Sequence, residues 1–142
     1  MYEEHIKIIE SSLKRGIEKQ GLHAIAKNLF VVFFEKHPDT EKYFEGTVID
    51  TFCERKFKII YNFLIDTLKY PDYADGAVCT EVIRHQIYGL KDKEYYFALV
   101  DSVLLSVKLA LEEEWTLEIE EFWSDASVGL KKIIYDSAAD YL

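Results

Sequence analysis

The chain contains few residues that interrupt a helix, and this scarcity limits its fold more than any other feature of the sequence. Only two prolines, Pro38 and Pro71, and six glycines occur in its 142 residues. Few residues therefore interrupt a helix, and few are of the kind that forms the turns of β-hairpins. Apolar residues also recur at intervals of three and four along most of the chain. The sequence predicts an all-α fold, in a single domain over residues 1–142.

The apolar spacing predicts six long helices and one short turn of helix after the second. Thr51 and Glu54 resemble a capping box at the start of the third helix, Asp92 can cap the fifth, and Thr116 can open the last. The aromatic second and third helices favour crossed packing over a simple four-helix bundle. We expect one helix from about 3 to 20, a second from near 22 to a stop at His37-Pro38, and a third from 51 to 69. A fourth should run from roughly 74 to 88, a fifth from its cap at Asp92 through Leu111, and a sixth from 116 onward, with a short turn that starts at Pro38 and leads to Phe44.

The composition excludes several classes of partner. A net charge of −9 and a pI near 4.9 argue against nucleic acid and against anionic membrane surfaces. No stretch approaches the roughly 18 apolar residues of a membrane span, and the N-terminal MYEEHIKIIE lacks the order of a signal peptide. We therefore expect a cytoplasmic protein. Cys53 and Cys79 lack metal-site spacing, so reduced thiols are expected, although a disulfide between them stays open.

One histidine lies on an apolar helix face, in the stretch CTEVIRHQIYGL at 79–90. Val78, Val82 and His85 are spaced so that they share a face that points into the protein. Gly89 supplies the left-handed residue that commonly ends a helix. A histidine at such a position is either a satisfied core residue or a ligand. The local pattern leaves both readings open.

Three elements of the sequence together resemble a globin. The run LFVVFFEKHPDTEKYF resembles the second globin helix and the corner after it, with Pro38 followed six residues later by Phe44. EVIRHQIYGL resembles the proximal helix of the family, and Trp123 in EEFWSDASVGL resembles the tryptophan of its last helix. The likeness is greatest to single-domain bacterial haemoglobins and the globin domain of flavohaemoglobins. It implies a three-over-three helical sandwich.

On the proximal side, the resemblance implies that His85 is the axial ligand of a haem b iron. It also implies that Phe44 packs against the haem plane and that Leu90, the aliphatic residue after the glycine, contacts the cofactor. In the flavohaemoglobin-like proteins a tyrosine and a glutamate stand behind the proximal histidine. Tyr95 matches that tyrosine, whereas Ser137 stands where the glutamate is expected.

On the distal side, the chain departs from the family. Phe30 occupies the position at which bacterial members often carry a tyrosine. The third helix normally offers histidine or glutamine, and here its phase is open: one phase places Lys56 above Ile60, and the other places Arg55 above Ile59. A lysine amine can coordinate iron after losing its proton, or it can extend to solvent or to a haem propionate.

The resemblance therefore implies a globin that reversibly binds O2, CO or NO, for oxygen binding, transport or gas sensing, as a monomer or homodimer. NO dioxygenase or peroxidase activity has weak support, because it needs an electron donor such as a separate reductase. The alternative is a haem-free sensory domain on the same fold, which binds an apolar ligand such as a fatty acid or mediates dimerisation. His85 argues against this alternative, since a haem-free protein has no need of the ligand.

Overall fold

A computed structural model describes residues 2–87, 89 and 92–141, without the side chains of 138–141. The described ranges contain helices and turns but no strand, so the prediction of an all-α fold is confirmed. The helices are α1 Glu3–Gln20, α2 Leu22–Lys36, α3 Ile49–Lys69, α4 Pro71–Ile87, α5 Lys93–Leu111 and α6 Leu117–Tyr141, with 3₁₀ turns at Pro38–Phe44 and Glu112–Glu114.

Local chemistry sets several helix ends where the sequence predicted them. Gly21 separates α1 from α2 with a φ of 84°, a conformation that costs glycine little. The side chain of Asp92 accepts a hydrogen bond of 2.9 Å from the backbone N–H of Glu94 and caps α5. The Thr116 hydroxyl accepts one of 3.2 Å from the N–H of Ile119 at the start of α6. These predictions are confirmed.

Two predicted helix starts are wrong. Helix α3 begins at Ile49, and Thr51 lies in its first turn, where its hydroxyl donates to the Val48 carbonyl at 3.0 Å instead of capping the helix. Helix α4 begins at Pro71 rather than at Ala74. Proline suits this first position because the N–H it lacks would have no partner inside the helix.

The core lies between α5 and the helices around it. Helix α5 packs against α1, α2 and α6, while α3 packs against α2, α4 and α6. Trp123 on α6 is fully buried, and its indole N–H donates to the Ser12 hydroxyl of α1 at 2.8 Å. This arrangement brings α3 and α4 side by side, and the candidate site lies between them.

Two further expectations concern the cysteines and the membrane. Cys53 is buried, Cys79 is partly buried, and both are free thiols, as predicted. Across the described ranges, none of the helices combines the length and the apolar character that crossing a membrane requires.

Candidate ligand site between helices α3 and α4

Helix α4 carries His85 toward the interior. Val78 and Val82 on the same face are 3% and 1% exposed, and the His85 side chain is 22% exposed. The predicted inward face is therefore confirmed. The helix ends at Ile87, and Gly89 has a φ of 93°. This left-handed residue is where the sequence placed the helix stop.

Hydrogen bonding fixes the tautomer of the His85 ring. Its Nδ1 lies 2.7 Å from the carbonyl oxygen of Glu81, one helical turn earlier. A carbonyl only accepts, so Nδ1 must carry the hydrogen. Burial, assisted by the charge of Lys56, lowers the pKa of His85 and favours the neutral ring. Nε2 therefore carries an unprotonated lone pair, which is the form in which imidazole binds metals.

The phase of α3 places Lys56 inside the protein. Lys56 and Ile60 are buried on the same stripe as Cys53 and Phe57, whereas Arg55 is exposed. The stripe that placed Lys56 above Ile60 is thus the one that faces inward. The buried face of α3 is therefore apolar except for Lys56.

The amine of Lys56 lies against the histidine. Its Nζ is 3.0 Å from Nε2 of His85. Within the described residues Lys56 forms no salt bridge with a carboxylate, and Glu81 acts on it only at longer range. Burial is the main reason that the pKa of Lys56 falls to about 8, and the charges of Arg84 and Arg55 lower it further. Two basic groups therefore share one buried contact.

Two cavities border this contact. The smaller has a volume of about 60 Å³ and a largely apolar lining that includes Ile60, Phe63 and Val100. The larger, of about 410 Å³, has aromatic walls and is also lined by Arg55 and Arg84. Four residues line both cavities: Lys56, Ile59, His85 and Leu99. The Lys56–His85 contact thus forms part of the wall of each.

The structure brings some of the predicted site residues together. His85 and Lys56 are in contact, Ile60 lines the smaller cavity, and Phe44 lines the larger one. Leu90 lies outside the described residues.

Phe30, which the resemblance places on the distal side, lies among other aromatic rings. It is 1% exposed and lines neither cavity. Its ring packs into an aromatic cluster, with ring centroids 5.4 Å from Phe44, 5.8 Å from Phe34 and 5.9 Å from Phe52. Contact with several other rings buries more aromatic surface than a cavity wall allows. Phe30 therefore supports Phe44 from behind.

Tyr95, which the resemblance places behind His85, makes its contacts with other residues. Its hydroxyl donates to the Asp39 carboxylate, and its ring centroid lies 5.1 Å from that of His37. The next residue, Tyr96, has its ring centroid 6.1 Å from that of His85. Adjacent residues on a helix point in different directions, so only one of the two can face the site.

Sequence reasoning missed Glu81. Besides its carbonyl contact with the ring, its carboxylate Oε2 lies 3.6 Å from His85 Nδ1 and 3.1 Å from Nη2 of Arg84. The buried Oε2 has no aligned hydrogen bond within the described residues. The signal was its position four residues before His85, where a helix brings side chains onto one face.

Comparisons with known proteins identify no relative from which the role of this site could be inferred. No protein-family model matches the sequence, and no curated protein is significantly similar to it. Within the described residues, no group of three or more His, Cys, Asp and Glu side chains is placed to hold a metal ion. The functional inference therefore depends on the Lys56–His85 contact and the two cavities beside it.

Proposed function

We propose that this protein is a haem-binding globin with a three-over-three helical fold, in which His85 holds the iron and a diatomic gas such as O2, CO or NO binds. The observation that carries the proposal is the state of the His85 ring. Nδ1–H is held by the Glu81 carbonyl, and the unprotonated Nε2 contacts Lys56 in the wall that the two cavities share. Proximal histidines are held in this manner, since their second nitrogen needs a partner that fixes the ring.

The residues around His85 fit a haem. The larger cavity, of about 410 Å³, has a volume typical of small-molecule sites, which span roughly 300–1,000 Å³. Phe44 and Phe52 give it aromatic walls suited to a flat macrocycle. Arg55 and Arg84 also line it, and their guanidinium groups can pair with the carboxylates of a haem. His85 supplies the ligand nitrogen at its inner end.

Haem entry requires Lys56 to move. A metal–imidazole bond is about 2.0–2.1 Å long, whereas the Lys56 amine lies 3.0 Å from Nε2. The amine must therefore withdraw before an iron can bind there. A lysine side chain has a flexible four-carbon stem, so this movement can occur without a change in the backbone.

When bound, the haem supplies an iron position at which a gas molecule binds. The chain supplies the space and the polarity around it. A volume of about 60 Å³ holds a few molecules of the size of water, so the smaller cavity can hold a diatomic gas. Its walls are formed largely by apolar residues such as Ile60 and Val100. Uncharged gases lose little hydration when they enter such a space.

Titration with haemin tests this proposal. We expect the purified protein to take up haemin and to show a Soret band that shifts on reduction and addition of CO. The variant His85→Ala should lose this band, and added imidazole should restore it. The control is His23→Ala, which removes an exposed histidine bonded to Asp50 on the surface. Protein that takes up no haemin, or a Soret band unchanged in His85→Ala, contradicts the proposal.

A haem-free sensory domain is the second candidate, and the larger cavity favours it. An aromatic space lined by Arg55 and Arg84 also suits an apolar chain that ends in a carboxylate, such as a fatty acid. Displacement of a fluorescent fatty acid, measured beside haemin uptake, separates the two functions. Binding of the fatty acid without uptake of haemin would establish the second.

A further inference from the structure

The inward position of Lys56 is the most unusual feature of the site. Its side chain is only 9% exposed, although it ends in an amine. Burying an ammonium without a carboxylate partner costs several kcal/mol or forces loss of the proton. The described residues offer Nζ one close polar contact, with Nε2 of His85 at 3.0 Å.

We infer that Lys56 is the second protein ligand of the iron, bound through Nζ on the side opposite His85. This inference rests on the proposed function. It concerns the resting protein, before any gas has bound. The ammonium releases its proton to solvent, the nitrogen lone pair forms the coordinate bond, and the oxidation state of the iron does not change.

The distance between the two nitrogens supports this assignment. Two metal–nitrogen bonds of about 2.0–2.1 Å, arranged on opposite sides of one ion, separate their nitrogens by about 4 Å. The present separation is 3.0 Å. A withdrawal of Nζ by about 1 Å would bring this separation to the one that two metal–nitrogen bonds need, and the haem ring needs further room from the cavities on either side.

The direction of α3 also favours ligation over extension to solvent. Cys53, Phe57 and Ile60 lie on the same buried stripe as Lys56, so the backbone directs the side chain inward. The preceding residue, Arg55, has the outward position from which a cation reaches water or a haem carboxylate. Arg55 is thus placed to reach water or a haem carboxylate, and Lys56 is placed to reach the iron.

Ligation by Lys56 has a measurable consequence for gas binding. An incoming gas must first displace the amine, so only the fraction of protein with the amine released can bind it. The apparent dissociation constant rises in inverse proportion to that fraction. If the amine is bound in about ten molecules for each one released, removal of Lys56 tightens CO binding about tenfold.

The test uses the full chain reconstituted with haemin. We expect the ferric protein to give the electron paramagnetic resonance and visible spectra of six-coordinate low-spin haem. Lys56→Ala and Lys56→Leu should become high-spin and bind CO about tenfold more tightly in the ferrous form. Leucine fills the buried space, so Lys56→Leu should stay folded even if Lys56→Ala does not. Lys58→Ala is the control, because Lys58 is exposed on the same helix.

The outcomes separate the inference from the proposed function. A haem-loaded protein that is high-spin, or one that stays low-spin in both Lys56 variants, overturns the inference and leaves haem binding intact. Failure of the unmodified chain to take up haemin overturns both. A low-spin spectrum that is lost in both variants and kept in Lys58→Ala supports the assignment of Lys56.

Discussion

Two buried polar contacts in this protein join helices in contrasting ways. In the first, the Trp123 indole donates to the Ser12 hydroxyl at 2.8 Å, and Ser12 donates in turn to the Ile9 carbonyl at 2.8 Å. In the second, Lys56 and His85 approach to 3.0 Å. The first pair contains only neutral groups with complementary donors and acceptors. The second joins two bases, and one of them must be neutral for the contact to be favourable.

The surroundings of the two contacts differ as well. Ser12 and Trp123 are fully buried, and neither lines the cavities at the candidate site. Lys56 and His85 line both of those cavities. A neutral, fully packed pair stabilises the fold, whereas a buried pair of bases beside empty space costs stability and offers reactive nitrogen atoms. The stabilising contact and the proposed ligand site thus lie in separate parts of the helical core.

The largest expected effect comes from removing the indole of the first contact. Trp123→Ala should lower the free energy of unfolding by about 3–5 kcal/mol, because a large buried side chain is lost and a cavity remains. Urea denaturation followed by circular dichroism measures this change. A loss below about 1 kcal/mol would remove the distinction between a stabilising and a reactive contact.

An effect of opposite sign is expected at the second contact. The pKa of Lys56 is lowered from 10.5 to about 8, so the unfolded chain binds its proton more tightly than the folded protein. At pH 7 this difference destabilises the fold by roughly 3 kcal/mol, and Lys56→Leu should recover it.

The gain has a defined pH dependence. Between about pH 8 and 10.5 the unfolded chain holds the Lys56 proton and the folded protein does not, so the stability of the unmodified protein rises with pH. The advantage of Lys56→Leu should therefore shrink across this window. Urea titrations of both proteins at several pH values measure the difference. Parallel pH profiles would show that Lys56 is not buried as an ammonium at neutral pH.

The smallest expected effect tests the hydroxyl of the first contact. Ser12→Ala leaves the buried Trp123 N–H without its acceptor and should cost about 1–3 kcal/mol. Ser11→Ala is the matched control, because the neighbouring Ser11 is exposed and should change stability by less than about 0.5 kcal/mol. Equal losses in both variants would mean that the indole hydrogen bond contributes nothing specific.

Short-range chemistry made much of the fold predictable. The side chains of Asp92 and Thr116 cap helices by accepting hydrogen bonds from backbone N–H groups two and three residues later. Gly21 alone separates α1 from α2. Thr51 shows the limit of such patterns, because a Thr-x-x-Glu sequence also fits inside the first turn of a helix. Hydrogen bonding within the helix decided between these two arrangements.

The candidate site was predictable only in part. Helical periodicity placed His85 on an inward face and left the phase of α3 open between Lys56 and Arg55. The contact of Lys56 with His85 joins residues on two different helices and has no local signature. The hydrogen bond from Tyr95 to Asp39, 56 residues away, likewise has no signature in the sequence. The three rings packed against Phe30 cannot be read from the sequence either. Such contacts depend on tertiary packing, which a single sequence does not display.

The cavities beside Lys56 also determine how the molecule responds to compression. Internal voids disappear when a protein unfolds, so their volume contributes directly to the decrease in volume on unfolding. The cavities of about 60 Å³ and 410 Å³ lie between α3 and the helices that face it, whereas the residues around Trp123 are closely packed. Hydrostatic pressure therefore acts most strongly on the α3–α4 end of the molecule, and any ligand that fills this space makes the protein harder to compress.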